Sequence, residues 1–468
     1  MTQEELAQLS REELIQVILA QAEQLAAMQA VLAQLKADNE ALRLKLEKGQ
    51  KPPTNSSNSS QPPSRDQKRS LPADRRKRKH GPPAGHPKHE RKFVARPDHI
   101  VDVRTDTCPA CQVDLSAESG WLIAVNQITE LPPAKAEVIE VRQYALICPQ
   151  CGEQHLTQPP QGLEMQRTFG ARLEATVVYY RQEQHISYER TQMTLRDLHG
   201  VSLSQGGIDQ ILQRAGKKAV PQAEKIQEAV CQSAVIASDE TGGRVAGANW
   251  WQWVFCTSLA VLHVLRFNRS ADVIQDVMGH HQAEVWVSDL LTSQLKAPAQ
   301  QRQICLAHQL RNLQAVVDQY PLAFWARAMQ ALFRYAIHLH HQRDQLPDPH
   351  FQVQVARIER LCDRLLERQV LQPAAAKLQR RYRKHRQALF VFLYRTDVPP
   401  TNNASERALR PSVIHRKVIG CFRSEWGAKA YAALESVIDT AALSGVNAFQ
   451  AIQNLIGRPS LPLPLGCE

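Results

Sequence analysis

Three carboxylates, Asp239, Asp289 and Glu406, stand in sequence contexts that would deliver them to one centre. Asp239 follows the apolar run Ala234-Val235-Ile236-Ala237 and opens Asp239-Glu240-Thr241-Gly242-Gly243, whereas Asp289 follows a second run, Val285-Trp286-Val287. Both read as strand-end aspartates. Glu406 lies in Asn402-Asn403-Ala404-Ser405-Glu406-Arg407-Ala408-Leu409-Arg410, where Asn402 or Asn403 can cap a helix and Glu406 then projects from its first turn. Such a set suits phosphoryl transfer: two divalent ions roughly 3.5–4 Å apart can clamp the attacking and leaving oxygens of an in-line displacement at phosphorus. Anionic oxygen ligands favour Mg2+, with Mn2+ as the alternative. Asp239 is expected to bridge the two ions, with Asp289 and Glu406 each completing one. The attacking oxygen would be water for cleavage of DNA and a 3′-hydroxyl for joining. A chain with 46 acidic residues places some carboxylates at strand ends by chance, so the joint placement carries the reading.

Elements able to hold these groups follow from the apolar pattern between residues 231 and 445. Ala234 to Asp239, Trp250 to Cys256 and Ala260 to Phe267 read as strands, with Gly242-Gly243 and Gly247 as turn signals. A helix from Ser270 to His280 leads back to the strand ending at Asp289, so that first and later strands can lie side by side. Glu240 should face the opposite side of its strand from Asp239. Between Asp289 and Glu406 lie 116 residues, most of which read as a helical insertion at about 320–396, with Trp325, Met329, Leu332, Phe333 and Ala336 at helical spacing. Trp250, Trp251 and Trp253 either stack on a displaced base or pack a core. Cys305 and His308 share a helix face, but one such pair cannot close a zinc site, and a structural or DNA-positioning role fits better.

The net charge of +11 is unevenly spread. Residues 65 to 92 hold eleven Lys/Arg against three Asp/Glu, including Arg75, Arg76, Lys77, Arg78 and Lys79, within a Pro- and Ser-rich segment, 49–92, too polar to bury a core. This reads as a disordered basic linker with a polyanion partner. Further DNA contacts are expected from Arg380, Arg381, Arg383 and Lys384 in the insertion and from Arg407, Arg410, Arg416 and Lys417 after Glu406. A solvated helix face competes for the first group, and an internal Glu406–Arg410 salt bridge competes for Arg410.

Residues 1–48 carry a heptad, with Ile18, Leu25, Leu32, Asn39 and Leu46 on one seam and Leu14, Gln21, Met28, Leu35 and Leu42 on the other. A polar Asn on a seam favours a two-stranded coil, so a parallel homodimer is expected. Cys108-Pro109-Ala110-Cys111 and Cys148-Pro149-Gln150-Cys151-Gly152 form two knuckles 36 residues apart. Four thiolates satisfy tetrahedral zinc, and a closed set of this kind is structural, contributing on the order of 10 kcal/mol to the folding of residues 93–160. Short strands, including Lys135 to Val141, are expected between the knuckles. Residues 161–230 read as a helical connecting or DNA-binding region, and 446–468 as a C-terminal tail. No run of eighteen apolar residues and no signal-peptide pattern occurs, so a cytoplasmic protein that associates with the nucleoid, with no membrane partner, is expected.

The architecture expected overall is multidomain α+β: an N-terminal coiled coil, a zinc-ribbon-like four-cysteine domain, and an RNase H-like α/β catalytic core with a large helical insertion. With the coiled coil, the linker, the knuckles and the segments Asp239-Glu240-Thr241-Gly242, Cys305-Leu306-Ala307-His308-Gln309-Leu310-Arg311 and Asn402 through Pro411, the chain resembles the insertion-sequence-66 transposases of bacterial mobile elements. The resemblance implies a DDE transposase whose triad is Asp239, Asp289 and Glu406, acting on terminal inverted repeats, with companion proteins of the same element as candidate partners. Two readings of other kinds stay open: a catalytically silent DNA-binding regulator derived from such an enzyme, and a metal-dependent nuclease that cleaves without joining.

Overall fold

The computed structural model describes Ser10, Met28, Gln29 and residues 92–132, 134–160 and 162–457. Apart from Met28 and Gln29, the heptad helix lies outside the described residues, as does the basic run Arg75–Lys79. Residues 92–160 contain one short hairpin, β1 (Ala145–Ile147) antiparallel to β2 (Gln154–Leu156), with the second cysteine knuckle at its tip. The strand expected over residues 135–141 does not form, and the apolar side chains of Trp121, Ile123 and Val138 are exposed.

Next in the chain come three helices: α1 (Ala171–Gln182), α2 (Tyr188–His199) and α3 (Gln205–Cys231). Ser187 and Ser204 cap α2 and α3 by accepting from the amides of Arg190 and Gly207, and Gly200, at φ 67°, closes α2 in the left-handed conformation. These helices bury Val177, Val178, Leu195, Ile208 and Ile211 in a shared core.

A five-stranded sheet begins where the apolar residues change from helical spacing to alternation. It consists of β3 (Val235–Val245), β4 (Ala248–Cys256), β5 (Val261–Arg266), β6 (Ala283–Ser288) and β7 (Ala299–Ile304), in the order β5-β4-β3-β6-β7. The first three strands are antiparallel; β6 and β7 run parallel to β3, and α4 (Asp272–Met278) makes the crossover before β6. Strand β3 is longer than the sequence suggests. Gly242 and Gly243 do not turn but pair with Trp251 and Trp250, and the hairpin lies at Ala246-Gly247, with φ of 47° and 81°.

Alternation gives the sheet two differently covered faces. Ala237, Val254, Val285 and Val287 face a core built with α5 (Leu306–Gln319), α6 (Phe324–His341), α7 (Asp348–Glu367), α8 (Pro373–Lys384) and the short α9 (Val391–Tyr394). Ile236, Trp253, Phe255 and Trp286 face the other way, toward α4 and the end of α3. Helices follow the last strand from Leu306 onward, ahead of residue 320, the expected start of the helical insertion. Its spaced apolar residues Trp325, Met329, Leu332, Phe333 and Ala336 are all buried in the first core.

The chain returns to the sheet through α10 (Asn403–Ile419) and α11 (Glu425–Leu443), and ends its described part with α12 (Ala448–Ile456). Gly216 lets α3 and α11 touch, because a Cβ there would stand 2.6 Å from the Ala430 Cβ. The expected tail at 446–468 holds a packed helix: Ile452 and Ile456 of α12 are buried against the α1–α3 core.

Candidate active site

Strand pairing brings the two aspartates together. Strand β3 pairs in parallel with β6 through Val235↔Val285, Ile236↔Trp286 and Ala237↔Val287, so Asp239 and Asp289 stand at equivalent positions two residues further on. Neighbouring strands are about 4.8 Å apart, and equal parity sends both side chains to the face of Ala237, Val285 and Val287. Contrary to the strand-end position expected for it, Asp239 lies within its strand: β3 continues to Val245, paired with β4 throughout. What ends is its neighbour β6, at Ser288, and the site opens where β3 loses that partner. The carboxylate of Asp289 is held in a turn by the Leu291 amide, which donates to Oδ1 at 2.8 Å.

Glu406 comes to the same face on the first turn of α10. The capping expected from Asn402 or Asn403 is not made by a side chain. Asn402 uses its amide differently, donating from Nδ2 to the carbonyl of Ser238 at 2.8 Å, one residue before Asp239. Its backbone N–H donates to Cys305 Sγ at 3.1 Å, and the Leu306 amide donates to the Pro400 carbonyl at 3.0 Å. The start of α10 is therefore fastened both to β3 and to the start of α5. From α5, Arg311 Nη2 donates to Glu406 Oε1 at 3.0 Å, and His308 Nδ1 lies 3.5 Å from the same oxygen and 3.3 Å from Cys305 Sγ. The internal Glu406–Arg410 pair is not formed among the described residues; Arg311, across the site, takes that position.

Burial, the neighbouring Glu240, Asp289 and Glu406 together push the Asp239 carboxyl up to about 8, against a single opposing hydrogen bond from the Glu240 amide. No ion pair involving Asp239 or Asp289 occurs among the described residues. A half-buried carboxylate that shares its face with two others and has no ion-pair partner fits a divalent cation, because a positive ion relieves the repulsion that now favours protonation. Burial, and after it the Arg311 charge, holds the His308 imidazole below its ordinary value. Burial pushes the Cys305 thiol up.

Glu240 faces the opposite side of the sheet, as its parity requires. There Arg269 Nη2 donates to Oε1 at 2.7 Å and Gln294 Nε2 donates to Oε2 at 2.8 Å. Arg269 also lies over the Trp251 ring, 4.5 Å from its centroid. Trp253 is fully buried and packs the core, while Trp250 and Trp251 are half-buried.

Among the cations expected to meet DNA, Arg407, Arg410 and Lys417 are exposed along α10, and Arg380, Arg383 and Lys384 along α8, with Arg381 half-buried beside them. Two have internal partners. Arg416 donates to Thr241 Oγ1 at 3.1 Å and to the Gly242 carbonyl, and Arg383 donates to the Leu366 carbonyl. Arg311 and Asn402 take roles at the site that their residue types do not announce. Their only signal in the sequence is membership of the two segments, 305–311 and 402–411, the second of which carries the third carboxylate.

Each cysteine knuckle is locally formed. Cys108 and Cys148 accept, at their carbonyls, from the amides of Gln112 and Gly152, both at 2.9 Å, and these two residues have φ of 60° and 72°. The amides of Cys111 and then Ala110 hold the Cys108 thiol below its ordinary value, and those of Cys151 and Gln150 do the same for Cys148. The two knuckles are not gathered into one four-sulfur cluster. Among the described residues, the metal-ligating groups whose ligand atoms lie within 4.8 Å of one another are Cys151–Glu153–His155, Cys305–His308–Glu406 and His263–Glu435–Asp439. No helix among the described residues is long and apolar enough to cross a membrane.

A family model described as the transposase IS66 family matches residues 166–430, from the segment before α1 into α11. No curated protein matches the chain.

Proposed function

The chain belongs to the IS66 transposase family, and from that premise we propose that it binds the terminal inverted repeats of an insertion sequence and catalyses metal-dependent DNA strand cleavage and strand transfer. The observation that carries this reading is the convergence of Asp239, Asp289 and Glu406 on one face, with Asp239 pushed up to about 8 by burial and its neighbours. The strand order, three antiparallel strands and then two parallel ones, supports an RNase H-like core for residues 231–445.

Asp239, Asp289 and Glu406 would hold two Mg2+, or Mn2+, with Asp239 shared between them. When bound, such ions polarise the scissile phosphodiester and lower the pKa of the attacking oxygen. The protein's own part is to fix the three carboxylates before substrate arrives. Parallel pairing of β3 with β6 sets Asp239 against Asp289, and Asn402 ties the base of α10 to the residue before Asp239. Arg311 and His308 restrict Glu406 from the α5 side. The exposed Arg407, Arg410 and Lys417 continue from Glu406 along α10, where phosphates flanking the reacting one would meet positive charge. The knuckles of residues 93–160 would hold structural Zn2+ once their four thiolates are drawn together, and residues 14–46 would supply dimerisation.

The test is cleavage and joining of labelled element-end DNA with Mg2+, for the wild type and for Asp239→Asn, Asp289→Asn and Glu406→Gln, with DNA binding measured in parallel. Loss of cleavage in all three with binding retained is the expected result, and a joined product separates a transposase from a nuclease. A wild type that binds these ends and never cuts, with the element's companion proteins present, overturns the reading in favour of a regulator.

A further inference from the structure

A second set of ligand-type side chains lies where α11 crosses β5. Glu435 and Asp439 are four residues apart and so project from one side of α11. His263 meets them from β5: its backbone amide donates to Ser436 Oγ at 2.8 Å, and its Nε2 lies 2.8 Å from Asp439 Oδ2. One ligand atom of each of the three lies within 4.8 Å of the others. The imidazole is completely buried and Glu435 is 1% exposed, while Asp439 keeps an edge toward solvent through which an ion can enter.

The surroundings disfavour the charged form of these carboxyls and, among the described residues, supply no cation to offset it. Burial and then Asp439 raise the carboxyl of Glu183, just past the end of α1, and Glu435 is held well above its ordinary value by burial, then by Asp439. Gln182 donates to Glu435 Oε1 at 2.7 Å, and the Tyr431 hydroxyl also meets that carboxylate. Cys256, on β4, is a neutral neighbour whose thiol burial pushes up to about 12. Among the described residues, no lysine or arginine forms an ion pair with Glu183, Glu435 or Asp439. Two carboxylates and an imidazole with their ligand atoms this close, and a third carboxylate beside them, present the donor set of a cation of charge two.

We propose that His263, Glu435 and Asp439 form a binding site for a divalent transition-metal cation, distinct from the Asp239 centre, which fastens α11 to the sheet. The mixed nitrogen and oxygen donors select Zn2+ or Mn2+ rather than Ca2+, which takes oxygen ligands alone. The ion replaces the proton between His263 Nε2 and Asp439. The ring proton then resides on Nδ1, which lies 3.2 Å from the Gln252 amide; a half-turn of that amide presents its oxygen as acceptor. Because Gln182 bonds both Glu435 and the Tyr431 carbonyl, the same ion links α1 to the sheet through α11. Its role is to hold the helical layer in place, apart from any strand chemistry.

The test uses the full chain carrying Asp239→Asn, Asp289→Asn and Glu406→Gln, so that neither activity nor the first carboxylate centre contributes to the signal. Mn2+ is titrated with detection by electron paramagnetic resonance, and Co2+ by absorption, where a nitrogen–oxygen site lacks the sulfur-to-metal band of a cysteine site. One Mn2+ per chain is expected, with Co2+ absorption that includes a component lacking the sulfur band, and with a rise in thermal midpoint. Adding His263→Gln and Asp439→Asn should abolish both effects. Should that variant fail to fold, Glu435→Gln, which preserves volume and the Gln182 contact, should weaken binding by at least about 100-fold, beyond the loss typical of an outer-shell residue. Equal Mn2+ and Co2+ binding with and without Glu435→Gln, or no binding by the starting chain, overturns the proposal.

Discussion

Asp239 and Glu240 are adjacent on β3, yet the two faces of the sheet treat them in opposite ways. Glu240 points toward α4, is almost wholly buried, and is met by Arg269 and Gln294. Asp239 points toward α10, where its charged neighbours are Asp289 and Glu406 and where no cation pairs with it among the described residues. Both carboxyls are raised, chiefly by burial, but hydrogen bonds from Gln294 and Arg269 oppose the shift of Glu240, and only the Glu240 amide opposes that of Asp239. A buried carboxylate with a complete set of partners belongs to the architecture. One crowded by its own kind stores repulsion that a metal ion can relieve, and that marks it for chemistry.

The largest effect should come from neutralising the crowded member. Asp239→Asn is expected to reduce strand cleavage by at least about 10³-fold, roughly 4 kcal/mol of barrier, with the thermal midpoint unchanged or raised. Glu240→Gln should do the reverse. Removing the charge leaves Arg269 without its anion, and because Arg269 is partly exposed the cost should be about 1–2 kcal/mol of folding stability, with cleavage per folded molecule within a few-fold of wild type. Denaturant melts run beside cleavage assays decide the matter. A stable, inactive Glu240→Gln protein would erase the distinction between the two faces.

A third, smaller effect is a slope with pH in divalent-free buffer. The folded-state pKa of Asp239, about 8, lies above the unfolded value of about 3.9, so between these values the folded state holds a proton that the unfolded state lacks. Stability from this group is greatest at the acid end of the window and is lost as pH rises toward 8. Asp239→Asn should therefore flatten the fall in thermal midpoint between pH 5 and 8, and added Mg2+ should raise the wild-type midpoint most near pH 8. Parallel slopes in wild type and variant would show that Asp239 ionises without cost.

Much of this contrast is legible in the sequence because it depends on period two. Continuing the alternation of Ile236 and Ala237 through Ser238 assigns Asp239 and Glu240 to opposite faces, and the run Val285-Trp286-Val287 supplies the neighbouring strand. Legibility fails where polar residues build the structure. Strand β7, Ala-Gln-Gln-Arg-Gln-Ile, has no apolar alternation because it lies at the sheet edge, its first five residues including only one that is buried. Gly242 and Gly243 look like a turn, yet they pair with Trp251 and Trp250 inside the strand, and a Cβ at either would make only ordinary contacts, so nothing in their side-chain space marks them as strand residues. Asn402 has the composition of a cap, and only the tertiary contact with Ser238 reveals that its amide is used across the site. The partner of Glu406 is equally hidden: Arg410, one turn along the same helix, is the local candidate, and Arg311, 95 residues away, is the one that binds.

That long-range pair sets the smallest prediction and the sharpest. Glu406 is the one carboxylate of the three with a cationic partner among the described residues, so it stands between the two cases: grouped with Asp239 by position, partnered like Glu240. Both groups of the pair are partly exposed, at 27% and 24%, so Arg311→Gln should cost no more than about 1 kcal/mol of stability. If Arg311 orients Glu406 for an ion, the variant should need roughly 10-fold more Mg2+ for half-maximal cleavage, while its rate at saturating Mg2+ approaches that of wild type. If Arg311 instead competes with the ion for Oε1, the requirement should fall below that of wild type. A loss of rate at every Mg2+ concentration would assign Arg311 to the DNA rather than to Glu406, and the partnered carboxylate would then rejoin Asp239 as a group whose charge waits for a metal.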